Sequence, residues 1–352
     1  MYTPKWFSLF IAYCITCLIL ISVRHLAIRI GLVDIPDQRK LHAGQIPLIG
    51  GIGMFGGFVF AALILSISLQ PYRTLFAAGG LVVFLGILDD FHELSPRARL
   101  IGQLMAALIL TAGGSLFLNS LGNIVGIGEI ILPHWLSWIL TIFAVMSVIN
   151  AMNMLDGLDG LAGLISLIGT ASLMILTIGS GDYVTASLIG LVCAVLVGFL
   201  QFNWRWIYPA RVFMGDAGSM FLGLTLVWFT IYCSQAPHQS VRPVAMLWVL
   251  AIPLYELMTV FIFRLSQGRS PLKAGRDHIH YLLLGYFEER RWPSWGVVPL
   301  IGFLALILAS VGVIGELRQW PEPGLFYGFL VIFVVYALIH GWLRARHDKI
   351  DP

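Results

Sequence analysis

Apolar residues run through this chain in long stretches divided by short polar connections, from near the first residue to near the last. A helix that crosses a bilayer needs about 20 largely apolar residues. Eleven stretches approach that length: 6–23, 48–69, 74–88, 100–118, 135–153, 161–179, 183–202, 217–233, 243–263, 296–315 and 323–343. Those at 74–88 and 217–233 are short, which leaves ten or eleven spans. They are rich in Gly, Ala and Leu and lack the residue-by-residue alternation of a membrane β-barrel, so they read as α-helices. The pattern predicts an all-α integral membrane protein, one polytopic domain over 1–352, with no internal repeat.

Composition agrees. Of 352 residues, 59% are apolar and 11% charged, and the mean hydropathy is +0.89. A soluble domain carries about 25% charged residues, so a cytosolic enzyme, a coiled coil and a disordered chain are excluded. Charge also sets the expected orientation. With the N-terminus outside, 17 of the 21 Lys and Arg residues fall on inner connections, leaving Lys5, Arg73, Arg242 and Arg318 outside. Positive residues accumulate on the cytoplasmic side, so the C-terminus is expected to be cytoplasmic. The inner loops are then 24–47, 89–99, 154–160, 203–216 and 264–295. Cys14, Cys17, Cys193 and Cys233 all lie in apolar stretches and read as small packing residues.

That topology puts most acids on the inner side, several at span ends where water meets lipid. Acids at a membrane need a reason, since one at a helix centre costs roughly 2.5–3.5 kcal/mol. Asp89, Asp90 and Glu93 fall within a turn of each other and would share a helix face; they mark a site or an ordinary solvated loop start. Asn150, Asn153, Asp156 and Asp159 recur in steps of three, and Gly157 and Gly160 allow the helix to break and re-aim the carboxylates. Asn150 also suits a polar contact between helices. Asn and Asp oxygens are hard ligands that suit Mg²⁺. Asp216, between Gly215 and Gly218 at a span start, reads either as a helix cap or as part of an anion site with free backbone N–H groups. His278 and His280 follow Arg276 in the longest inner loop, where phosphate binding fits better than zinc.

The order and wording of these clusters resemble the polyprenyl-phosphate N-acetylhexosamine-1-phosphate transferases, glycosyltransferase family 4. The matching segments are GLVDIPDQRKLHAGQIPLIGG (31–51), ILDD (87–90), NAMNMLDGLDG (150–160), RVFMGDAGS (211–219) and HIH (278–280). The resemblance implies a multi-pass enzyme of the bacterial cytoplasmic (inner) membrane with its active site at the cytoplasmic face. The reaction implied is transfer of GlcNAc 1-phosphate from UDP-GlcNAc to undecaprenyl phosphate, releasing UMP. It would be the first membrane step of a surface polysaccharide of the O-antigen, enterobacterial common antigen or teichoic-acid type. Mg²⁺ is the implied cofactor, with Mn²⁺ as a substitute. A homodimer is compatible with the family, and no nucleic acid partner is expected.

The resemblance also implies residue roles. Asp216 and Asn153 correspond to metal ligands, and Asp89, Asp90 and Asp156 to catalytic carboxylates. Asp159, Phe213, Asn203, Lys40 and His42 correspond to nucleotide-side positions, with Phe213 stacking on uracil. His278, His280, Arg276 and Arg99 correspond to positions that hold phosphate and sugar. Two departures stand out: Glu93 closes a motif that commonly ends in Asp, and Tyr281 stands where a third His is frequent. Another UDP-HexNAc or UDP-MurNAc-pentapeptide is the alternative donor, and a secondary transporter the alternative class. Acids at one membrane face rather than the midplane, without an inverted repeat, argue against the transporter. Glu256 and Glu129 match no role.

Overall fold

The structure, a computed structural model, describes residues 6–34, 44–204, 210–235, 237–270, 275 and 277–347. In chain order they form α1 (Trp6–Ile30), the two-residue strands β1 (Val33–Asp34) and β2 (Ile46–Pro47), α2 (Gly50–Ile64), α3 (Arg73–His92) and α4 (Pro96–Thr111). There follow α5 (His134–Leu155), α6 (Leu161–Gly179), α7 (Tyr183–Asn203), α8 (Gly215–Ser234), α9 (Pro243–Val249) and α10 (Ala251–Ser266). The chain ends with α11 (Ile279–Glu289), α12 (Val297–Leu317) and α13 (Glu322–His347). The strands pair antiparallel, Val33 opposite Pro47 and Asp34 opposite Ile46.

Among the described residues, eight helical segments are long and apolar enough to cross a membrane, and α9 with α10 makes a ninth if that bent pair is one span. The all-α, multi-pass membrane architecture expected from the sequence is therefore present. Three expected spans differ in form. The stretch 48–69 is helical only to Ile64, a 15-residue helix about 22 Å long, short of the roughly 30 Å hydrocarbon core. The stretch 100–118 starts earlier, at Pro96, where the Ser95 hydroxyl accepts the Ala98 N–H at 3.3 Å, and stops at Thr111 before Gly113-Gly114. The stretch 243–263 is broken, with α9 and α10 meeting at 76°. Pro253, three residues into α10, has no N–H to continue a helix from α9.

Helix α8 is the hub. It packs against α2, α3, α5, α6 and α9, and every residue in it is buried except Asp216. Such close approach depends on missing side chains. A Cβ on Gly86 of α3 would collide with the Ala217 backbone, and one on Gly51 of α2 with Gly218 N. A Cβ on Gly223 would sit 2.6 Å from Ile149 Cα in α5. The bundle has two polar ends. At one, the α3–α4, α5–α6 and α7–α8 connections meet the segment leading into α11. At the other, Gln235 bonds the 119–120 backbone, and Arg242 Nε donates to Glu316 at 2.7 Å.

Candidate active site

The first polar end gathers the carboxylates. Asp216 opens α8, and its neighbour across the α3 interface is Asp90, whose carboxylate accepts the N–H groups of Asp216 (2.9 Å) and Ala217 (3.5 Å). Asp90 therefore caps α8 from another helix. Those N–H groups, read from the sequence as free for an anion, are taken. The chain reaches this geometry through Gly215, at φ +70°, where a Cβ would lie 2.5 Å from Asp90 Oδ2.

Asp89 points into the same region and is buried. Its Oδ1 accepts the Leu94 N–H at 2.8 Å. Arg99 Nε lies 2.6 Å from its Oδ2 without the alignment of a hydrogen bond, and Arg99 Nη1 is 3.9 Å from Asp216 Oδ2. Glu93 does not join them. Helix α3 ends at His92 and Glu93 turns away at φ +48°, exposed.

The α5–α6 turn supplies the opposite wall. Asn153 Nδ2 donates to Asp216 Oδ1 (2.5 Å) and to Ser219 Oγ (3.0 Å). As the two glycines suggested, α5 stops at Leu155, Asp156 leaves the helix, and Gly160 at φ +84° starts α6. Burial, followed by the negative charges of Asp216 and Asp159, pushes the Asp156 pKa up to about 8. Asn150, one step earlier, makes a reciprocal amide pair with Gln103 of α4 at 2.6 and 3.4 Å, a helix–helix contact.

Asn203, expected at the nucleotide side, is bonded to backbone. It is buried, its Oδ1 accepts the Gly160 N–H (2.7 Å), and its Nδ2 donates to Val212 O (3.0 Å). It fixes the aspartate turn to the chain before α8; both of its polar groups are spent on backbone. Phe213 is half-buried, with its N–H on Pro47 O (2.9 Å) and its carbonyl on Gly50 N (3.0 Å), so the β2 segment is tied to the start of α8. Lys40, His42 and Arg276 lie outside the described residues.

The histidine segment closes the site from above α11. A Cβ on Gly157 would collide with His280 Nε2 and lie 2.8 Å from the Tyr281 hydroxyl, so this segment rests directly on the aspartate turn. His280 is fully buried, and neither ring nitrogen has a hydrogen-bond partner among the described residues. Burial holds its pKa down at about 3 despite Glu256, so the imidazole is neutral and offers one N–H and one lone pair. His278 stacks parallel to it at 5.6 Å.

What aligns the two histidines is Glu256, which the sequence left without a role. Buried in α10, its Oε1 accepts the Ile279 N–H (3.0 Å) and lies 2.8 Å from His278 Nδ1. Its Oε2 accepts the Tyr336 hydroxyl of α13 at 2.6 Å. Against an ionised carboxylate Nδ1 carries the hydrogen, which leaves the lone pair on His278 Nε2. Beside it, Asp277 is held by Arg264 (3.0 Å), by Arg269 (3.6 Å) and by Arg344. Burial opposes its ionisation, but the Arg344, Arg264 and Arg269 contacts win and hold its carboxyl below the usual range.

The donor set suits a hard divalent cation. Asp89 Oδ2 is a buried acceptor with no aligned donor, the Asp89 and Asp216 carboxyls lie against each other, and Arg99 is the nearby cation. No three His, Cys, Asp or Glu side chains form a closed metal cage among the described residues. Mg²⁺ characteristically takes one or two protein carboxylates and completes its shell with water and substrate phosphate.

Residues 72–234 match the family model described as glycosyl transferase family 4. Over 334 residues the chain is 36% identical to an undecaprenyl-phosphate alpha-N-acetylglucosaminyl 1-phosphate transferase of Yersinia pestis, spanning 94% of this chain and 90% of that one. A protein of the same name from Escherichia coli K12 is 34% identical over 346 residues, 96% of this chain and 92% of the relative. One from Haemophilus influenzae is 35% identical over 344 residues, 96% and 95%.

Proposed function

Since the chain belongs to glycosyl transferase family 4 and is a sugar-phosphate transferase, we propose that it moves GlcNAc 1-phosphate from UDP-GlcNAc to undecaprenyl phosphate. The products are UMP and undecaprenyl-diphospho-GlcNAc, the lipid start of a surface polysaccharide. The observation that carries this reading is the meeting of Asp89, Asn153, Asp156 and Asp216 from three helix ends under a lid bearing His278 and His280. A transporter's substrate and ion sites lie near the bilayer midplane, whereas this cluster gathers at one end of the bundle.

Phosphoryl transfer asks for positioning and charge neutralisation rather than covalent chemistry from the protein. Asp216 and the Asn153 amide, turned to present its oxygen, would hold Mg²⁺, which supplies charge neutralisation for the diphosphate. Arg99 stands between Asp89 and Asp216, placed to meet a phosphate that displaces it from either. Neutral His280, and His278 aligned by Glu256, hydrogen-bond to the sugar diphosphate. Phe213 and Asp159 hold the uracil. Asp89 orients the attacking lipid phosphate, whose second pKa near 6 leaves the dianion abundant without a strong base. Attack on the β-phosphorus is direct.

The site end faces the cytoplasm of a bacterial inner membrane, with the N-terminus outside, as the distribution of Lys and Arg favours. The test is purified protein in detergent with radiolabelled undecaprenyl phosphate and a panel of UDP-sugars. UMP release that needs both the lipid and UDP-GlcNAc supports the proposal. Preference for another UDP-HexNAc refutes the sugar, and no UMP release with any donor refutes the reaction.

A further inference from the structure

A cavity of about 360 Å³ lies between the start of α3, the chain after α4 and the end of α8. This is within the range of small-molecule sites. Trp228 and Tyr232 in its wall come 12 and 16 residues after Asp216 along α8, roughly 18–24 Å at the helical rise. It is therefore separate from the carboxylate site and at the other polar end.

Its lining is rich in donors and contains no Asp or Glu. Arg73 sits at the rim, exposed, and no carboxylate pairs with it among the described residues. Arg242 at the same end differs, being saturated by Glu316, Gly315 and Trp320. Thr74 and Ser115 bring hydroxyls, and the Trp228 indole N–H is buried in the wall with no acceptor among the described residues. Trp228 and Tyr232 stack at 4.4 Å, and His238, also in the lining, stacks on Tyr232 at 4.4 Å, which holds the imidazole against the aromatic wall. Asp182, the acid whose charge reaches Tyr72 and Tyr232, is not in the lining and is engaged in capping α7 through the Thr185 N–H.

From this arrangement we infer that the cavity binds a phosphate-type anion, held by Arg73 and His238 against the aromatic wall. A guanidinium with unused donors, hydroxyls and an imidazole around a space without acids is what a phosphate group requires. An anionic phospholipid headgroup and free inorganic phosphate share that chemistry.

Full-length protein in nanodiscs of mixed phosphatidylglycerol and phosphatidylcholine, analysed by native mass spectrometry, forms the first arm. Inorganic phosphate added to protein in a zwitterionic detergent, read by thermal unfolding, forms the second. Phosphatidylglycerol retained by the wild type, reduced at least fivefold in Arg73→Ala and recovered in part in Arg73→Lys, assigns the site to a lipid headgroup. A thermal shift with inorganic phosphate that Arg73→Ala abolishes assigns it to the free anion. Equal retention and equal thermal response in wild type and Arg73→Ala, or neither signal in the wild type, overturns the inference. UMP release is expected to be unchanged in Arg73→Ala, so this result is independent of the transfer reaction.

Discussion

Asp216 and Asp90 are neighbours with different work. Asp216 is the open carboxylate on an otherwise buried helix, and Asp216→Ala should abolish UMP release and its dependence on added Mg²⁺. Turnover that persists in EDTA would contradict the metal assignment. Asp90 spends its oxygens on the N-terminus of α8. Asp90→Ala should lower stability by about 1 kcal/mol, the ordinary value of a cap, whereas Asp90→Asn keeps an acceptor and should stay close to wild type in thermal unfolding. If Asp90→Asn unfolds like wild type but has no activity, Asp90 acts in the chemistry as well. Glu256→Gln removes a charge-assisted bond of about 1.5–3 kcal/mol, and a 10- to 100-fold fall in transfer is expected, with His278 released. An unchanged rate would sink that positioning role. The acids and histidines were visible in the sequence because charge in an apolar chain is conspicuous. The work of Glu256 and Asn203 was not, because it depends on partners such as Tyr336, 80 residues away.

At the scale of elements, the apolar stretches located the helices but not their ends. Length in an apolar run says what can sit in lipid. It does not say where a glycine pair or a proline stops the backbone ladder, and the end of α4 and the α9–α10 break were misjudged for that reason; α2 stops at Ile64 with neither. The step-of-three spacing and its two glycines did reveal the turn after α5, since breaking a helix is a local matter. The tightest contact between that turn and the histidine segment is at Gly157. Gly157→Ala forces a methyl into the His280 ring, so it should impair transfer more than it lowers the unfolding temperature, and kinetics beside calorimetry would show the difference. Gly215→Ala faces both a positive φ and the Asp90 carboxylate, so it should lower stability itself, by roughly 1–2 kcal/mol.

For the molecule as a whole, membrane residence followed from composition, while the convergence of distant helix ends did not, since it is a property of packing. The arginine cluster around Asp277 joins the site end to α10 and α13. Because the Asp277 pKa is lowered on folding, its contribution is complete above the unfolded value near 4 and is lost as pH falls through the lower folded value. The stability difference between wild type and Asp277→Asn should be flat from pH 5 to 8 and shrink only in stronger acid. Accessibility labelling of engineered cysteines at each terminus in sealed vesicles should find the C-terminus on the cytoplasmic side; the reverse would overturn the orientation proposed for the site.

The enclosure of α8 has a consequence for how the protein matures. A helix enclosed on every side by other helices cannot reach its final place by partitioning alone, so it reaches it only as its partners close around it. Those include α9, which leaves the ribosome after it. The one open carboxylate thus comes into register only when the bundle closes, and a nascent chain has no competence to handle a sugar nucleotide before that moment.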